Sequence, residues 1–219
     1  MDEKNALILF GSPHKKGASD EITVWAEKRL EERGFSHGRV SLYEKKINPC
    51  VGCCACQRVT EGFTCVQKDD VLELAAKVMQ ADLLLVASPV HGNFLSAPAK
   101  CLLDRLTYIL NQYIGRKPED WNALWDSKHL ALLISYGVRF KDLLVPIDLA
   151  MEMYCKHSRL FYDGYAAVHR KGFMLRQDDP DAVPEDRARV EAMIDRAADA
   201  CLEGRKADWS ALTGEKEVG

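Results

Sequence analysis

Four of the eight cysteines, Cys50, Cys53, Cys54 and Cys56, fall within seven residues, and Cys65 follows closely. Thiolates in such density bind soft metals or exchange electrons as thiol–disulfide pairs. The N-terminus is polar and partly acidic and carries no secretory pattern, so a disulfide framework is the weaker reading and metal or redox chemistry the stronger one. Cys101 and Cys201 lie on helical apolar stripes, where a buried, inert thiol is expected. The second chemically suggestive stretch is NALILFGSPHKKGASDEI, from Asn5 to Ile22. An apolar run stops at Gly11, small and basic residues follow, and a helical pattern begins at Ser19. A strand feeding a loop and then a helix N-terminus is an anion site: unpaired N–H groups and the positive dipole end face the loop. Ser12 and Ser19 offer hydroxyls, His14 and Lys16 offer donors, and Gly17 and Ala18 offer backbone N–H groups. The loop lacks both the Gly-Lys-Ser/Thr ending of a Walker A motif and the spaced glycines of a dinucleotide fold. A terminal monophosphate remains the best guest, with an ordinary strand–helix turn as the alternative.

The elements that must hold these stretches alternate. Leu7–Phe10, Arg39–Tyr43, Leu83–Ala87, Leu130–Ile134 and Tyr165–His169 read as strands. Ser19–Arg33, Asp70–Met79, Ala97–Tyr113, Leu143–Lys156 and Pro184–Leu202 read as helices. Gly34 is placed to end the first helix, Asp70 with Glu73 to form a capping box, and Ser96 to cap the third. Such alternation predicts an α/β fold, a parallel sheet with helices on both faces, whose ligands bind beyond the carboxyl ends of the strands. Three loops meet that condition: Gly11–Ser19, Ser88–Phe94 and Ser135–Gly137. Between the third helix and fourth strand, residues 115–128 form an insertion with Trp121 and Trp125. It reads equally as a lid or oligomer contact and as local packing. One domain over residues 1–204 is expected, with a tail at 205–219.

At 219 residues the chain is long enough for its own core, and 47% hydrophobic with 29% charged residues is ordinary for a globular domain. A net charge of −3 without long like-charge blocks gives no reason to expect nucleic acid or a membrane surface, and no apolar run reaches spanning length. A cytoplasmic location is expected.

GSPHKKGAS resembles the GSPR-x-x-G-x-S/T loop of the NAD(P)H-dependent FMN reductases, which have a flavodoxin-like fold. SPVHGNFLSAPAKCLLDR resembles the segment that follows the third strand in that family. The resemblance implies a three-layer α/β/α sandwich with a five-stranded parallel sheet in order 2-1-3-4-5. It implies FMN, its phosphate in Ser12, His14, Lys16, Gly17, Ala18 and Ser19. The ring would lie against Pro89, Val90, His91, Gly92, Asn93 and Phe94, closed on its other side by Ser135, Tyr136 and Gly137. His14 stands where the family usually has arginine, and His91 where it commonly has tyrosine. The cysteine loop, residues 49–66, resembles that of the iron–sulfur flavoproteins, a narrower branch. There a C-x2-C-x2-C with a later fourth cysteine holds a [4Fe–4S] cluster, which implies Cys50, Cys53, Cys56 and Cys65 as ligands. Cys54 is extra, and the final gap is longer than usual. Four-thiolate zinc and free or redox-active thiols remain alternatives. The implied activity is oxidoreduction, with NAD(P)H as donor, a small-molecule or ferredoxin-type partner, no side-chain catalyst, and a homodimer or homotetramer. A cluster-free quinone or flavin reductase and a non-enzymatic electron carrier are the competing functions.

Overall fold

The run expected to be a central strand is one: β1 (Asn5–Phe10) is buried along nearly its whole length. The computed structural model describes residues 4–59, 61–117, 122–138, 142–170 and 182–206. Pro118 and Trp121 of the insertion, and Trp209 of the tail, lie outside the described residues. β1 is flanked by β2 (Ser36–Ser41) and β3 (Leu83–His91), and the sheet continues through β7 (His129–Tyr136) to β8 (Phe161–His169). All four pairings are parallel, in the order β2-β1-β3-β7-β8. Counting only these five long strands, this is the expected 2-1-3-4-5 order. A short β4 (Phe94–Leu95) folds back antiparallel on β3.

Period-two alternation with both phases apolar puts a core on each face of the sheet. Leu7, Leu9, Leu84, Val86, Leu130 and Leu132 point to one core, which packs against α2 (Val71–Gln80), α3 (Ala97–Leu110) and α4 (Val145–Ser158). Ala6, Ile8, Phe10, Leu83, Leu85, Ala131 and Leu133 point to the other, covered by α1 (Ala18–Glu32) and α5 (Ala182–Leu202). The result is three layers. No described helix is long and apolar enough to cross a membrane.

α1 closes as expected: Phe35 N–H bonds Leu30 O at 3.0 Å and Gly34 N–H bonds Glu31 O at 3.0 Å, a Schellman motif that carries Phe35 into the core. Several expectations are corrected. β2 lies a few residues earlier than Arg39–Tyr43, because its in-register pairing with Asn5–Phe10 selects Ser36–Ser41, and a half-polar edge strand has no apolar run to mark it. The capping box does not form. Asp70 is helical in its own backbone and its Oδ2 accepts from Lys46 N (2.7 Å), while Asp69 Oδ1 accepts from Val71 N (3.3 Å). Glu73 instead pairs with Lys45 and Lys77. Ser96 likewise makes no side-chain cap; its Oγ is buried without a hydrogen-bond partner among the described residues, close against Gly11.

α3 stops at Leu110 rather than Tyr113. Asn111 turns extended and begins a small hairpin, β5 (Asn111–Gln112) paired antiparallel with β6 (Asn122–Ala123). Of the two insertion tryptophans, Trp125 is fully buried, its ring 6.3 Å from that of Tyr154 on α4. For Trp125, therefore, local packing is what the fold uses.

Candidate functional site

At the carboxyl end of the sheet, four strands release their chains around one groove of about 1000 Å³. β1 supplies Ser12 to Ser19, β3 supplies Pro89 to His91, β7 supplies Ser135 to Gly137, and β8 supplies Arg170. The chain leaves β1 through Gly11, whose N–H bonds Ala87 O at 2.7 Å; a Cβ there would sit 2.7 Å from Ser96 Oγ, so only glycine fits the approach of β1 to α3. Ser12 Oγ accepts the His14 N–H at 3.2 Å, which tightens the loop. Pro13 to Lys16 stay exposed, and Gly17, in extended conformation, precedes α1. Asp20 and Glu21 N–H both bond Gly17 O, at 2.9 and 3.0 Å, so it is the N–H groups of Ala18 and Ser19, two residues that line the groove, that the helix leaves without intrahelical acceptors.

Ser19 is buried, and its Oγ shares a 2.7 Å hydrogen bond with Ser135 Oγ. That contact stitches the phosphate-type loop to the end of β7, two segments 116 residues apart. Arg170 sits in the same rim. Its N–H bonds Tyr136 O at 2.9 Å, and its guanidinium reaches Glu21 (3.1 Å) and Asp186 (2.5 Å). Burial lowers the Arg170 pKa, but the two carboxylates outweigh it and the net direction is upward.

Twelve residues named from the sequence line the groove: Ser12, His14, Lys16, Gly17, Ala18, Ser19, Pro89, Val90, His91, Ser135, Tyr136 and Gly137. Gly92, Asn93 and Phe94 do not. The stretch after β3 is a hairpin, with His91 paired to Phe94 and the positive-φ residues Gly92 (54°) and Asn93 (63°) at its tip. Phe94 packs against the core. Pro13, Lys15, Glu21 and Arg170 also line the groove and were missed. Pro13 and Lys15 were inside the quoted loop. Arg170 had one usable signal, its position just beyond the fifth strand.

The cysteines line a second cavity, of about 260 Å³, whose surface is mostly apolar. Cys50, Cys53, Cys56 and Cys65 all reach it, and so does Cys54. All five thiols are free, with Cys50 and Cys53 exposed and the others half-buried. Burial pushes the Cys56 thiol up. Among the described residues no three His, Cys, Asp or Glu side chains are gathered as a set able to hold a metal ion. The five thiols share a wall rather than a common point.

Two buried polar side chains hold this loop. Gln57 spends its whole amide on backbone: Nε2 donates to Tyr108 O (2.5 Å) and Asn111 O (2.8 Å), and Oε1 accepts from Tyr113 N (2.9 Å) and Ile114 N (3.1 Å). This explains why α3 ends where it does. The second is Arg105 on α3, which pairs with the buried Asp69 side chain and donates to Cys65 Sγ at 3.1 Å. Neither residue was singled out from the sequence.

Sheet order, layering and the position of the groove define a flavodoxin-like α/β protein. The chain matches the model of the NADPH-dependent FMN reductase family over residues 5–151, and it belongs to that family. Among curated proteins it is similar to an iron–sulfur flavoprotein of Archaeoglobus fulgidus, 39% identical over 101 residues, which is 46% of this chain and 44% of that protein. It is also similar to an iron–sulfur flavoprotein of Methanocaldococcus jannaschii, 37% identical over 97 residues, 44% of this chain and 49% of the relative. The matched stretch thus spans just under half the length of either relative. Among solved structures, NAD(P)H:quinone oxidoreductase from Methanothermobacter marburgensis superposes with a TM-score of 0.59 at 20% identity, covering 91% of this chain and 98% of that one. At that identity the likeness speaks for the fold.

Proposed function

We propose that this protein is an FMN-dependent oxidoreductase carrying a [4Fe–4S] cluster, and that it passes electrons between NAD(P)H and a one-electron carrier of ferredoxin type. The observation that carries the reading is the presence, on one domain, of two separate cavities of opposite chemistry. One is a wide groove at a helix N-terminus; the other is a small apolar cavity walled by thiols.

The residue types suit both groups, although the thiols are not gathered as a three-donor set among the described residues. The groove offers loop N–H groups and the Ser12 hydroxyl to a phosphate, and the flatter walls of Pro89, Val90 and Tyr136 to a ring system. The thiol cavity offers an all-sulfur donor set suited to iron–sulfur ligation. Four thiolates outweigh the positive charge of an iron–sulfur core, so the assembled centre is anionic, and the buried Arg105 guanidinium answers that charge. Cys50, Cys53, Cys56 and Cys65 are the proposed ligands. FMN exchanges electrons singly or in pairs, and a cluster exchanges them one at a time. The protein's own task is to hold the two groups and orient the ring. The proposed setting is a cytoplasmic homodimer or homotetramer.

A second reading is a cluster-free NAD(P)H-dependent quinone or flavin reductase. It draws support from the lack of a gathered three-donor set among the described residues. Anaerobic purification with an absorption spectrum and metal analysis separates the two. The expected preparation is brown, with about four iron and four labile sulfide per chain and one FMN. A yellow, iron-free protein would select the second reading, and a colourless zinc protein would defeat both. Bleaching of the flavin band by NADPH or NADH tests the donor. Ser19→Glu, which puts a carboxylate at the phosphate end of the groove, is expected to abolish FMN retention. Cys56→Ala is expected to remove iron and leave FMN.

A further inference from the structure

One wall of the thiol cavity is neither sulfur nor apolar. Arg105, on the third turn of α3, lines it at 1% exposure. Its nitrogens are used unequally. Nη1 pairs with the Asp69 carboxylate and also reaches Asn48 O at 3.3 Å. Nη2 donates to Cys65 Sγ at 3.1 Å, and Nε has no partner among the described residues. Asp69 is itself pinned, accepting from Asn48 N at 2.9 Å and from Val71 N at 3.3 Å. The guanidinium fork is therefore fixed from behind, with one N–H held on a cysteine sulfur and another left over. A tie between α3 and the loop alone would be complete with Asp69; it would need neither a sulfur acceptor nor a spare donor.

We propose that Arg105 raises the reduction potential of the thiolate-bound centre in this cavity, by donating to the Cys65 sulfur and facing the centre with positive charge. The inference rests on the reading of the cavity as a [4Fe–4S] site. One-electron reduction adds a negative charge to a centre that is already anionic; the electron comes from a one-electron reductant, no bond forms or breaks, and no proton is transferred. Hydrogen bonds to the ligand sulfurs and nearby positive charge stabilise the more negative state, which moves the potential upward. Asp69 is a positioning residue in this scheme, since it sets which way the fork points.

The test is a dithionite titration of the anaerobic holoprotein, followed by electron paramagnetic resonance, with iron, sulfide and FMN counted in each sample. Arg105→Lys keeps the charge and loses the fork. The double variant Arg105→Gln with Asp69→Asn removes both charges together, so no buried ion is left alone. Both are expected to keep iron. At a fixed applied potential the ratio of reduced to oxidised cluster is expected to fall tenfold or more in the double variant, about 59 mV for a one-electron couple. The fall is smaller in Arg105→Lys, and the FMN potentials do not move. A wild-type cluster potential in an iron-replete variant overturns the inference. So does loss of iron from both variants, which would make the arginine a structural tie. Wild-type protein without iron overturns the cluster reading itself and this inference with it, and that is known before any variant is made.

Discussion

The groove takes its walls from the ends of four parallel strands, whereas every cysteine of the second cavity comes from one loop. The groove is placed by the sheet. Its loops lie at or just beyond the ends of buried strands, and the parallel pairing of those strands fixes the ends before any groove side chain is considered. The thiol cavity has no strand beneath it. Its loop is irregular apart from a short 3₁₀ turn at Ala55–Arg58, and two buried polar nodes, Gln57 and the Arg105–Asp69 pair, fasten it to α3. The same kind of substitution should therefore be far more damaging in one region than in the other.

The largest effect is expected at Asp69. Asp69→Asn leaves a buried guanidinium that cannot lose its proton, a loss of about 3 kcal/mol at neutral pH by urea denaturation. The pH dependence has a definite sign. Burial pushes the Asp69 carboxyl up, but the Arg105 guanidinium and two backbone N–H groups hold it below the usual carboxylate range. A folded value below the unfolded one contributes stability above the unfolded pKa, and that contribution disappears as pH falls through the folded value. The gap between wild type and Asp69→Asn should thus be full at neutral pH and close below about pH 4. A gap that is constant with pH would mean the carboxylate charge is not what holds the loop.

Gln57→Ala comes next. It strips partners from two backbone carbonyls and two backbone N–H groups at the end of α3, a loss of about 2 kcal/mol. Hydrogen exchange should quicken across residues 50–67 and 108–114 and stay unchanged around the groove. Exchange that quickens in both places would show that the two regions fold as one unit. On the groove side, Ser19→Ala removes the bond to Ser135 and is expected to cost only about 1 kcal/mol, because the sheet still places both loops. FMN affinity, measured by fluorescence quenching, should fall about fivefold.

The two regions also differed in how far they could be read from the sequence. The groove was legible because its signals are local. Phe10 followed by Gly11 marks the end of β1, whereas β3 runs four residues past Ala87 to His91, and twelve residues of the three loops read from the sequence still line the groove. Glu21 and Arg170 escaped because their place in the rim depends on elements 149 residues apart meeting. For the thiol cavity, spacing identified the cysteines but not what holds them. A buried Gln or Arg looks like a surface residue until its partners are known, and those of Gln57 lie 51 to 57 residues away. The capping box failed for the same reason: Asp70 was claimed by the Lys46 N–H from a distant loop.

The smallest expected effect is the sharpest check on the idea that the groove is held by backbone. Lys15 lines it, exposed, in an ion pair with Glu44. That pair is solvated at both ends, and the strand and helix on either side do not depend on it. Lys15→Ala should leave the melting temperature within error of wild type. FMN affinity should drop no more than about threefold at low salt, and the difference should vanish as added salt shortens the Debye length to about 3 Å at 1 M. A tenfold loss that persists in salt would mean that Lys15 leaves Glu44 and closes directly on the phosphate. The groove would then depend on a side chain as the thiol cavity depends on Arg105, and the contrast between the two regions would narrow to burial alone.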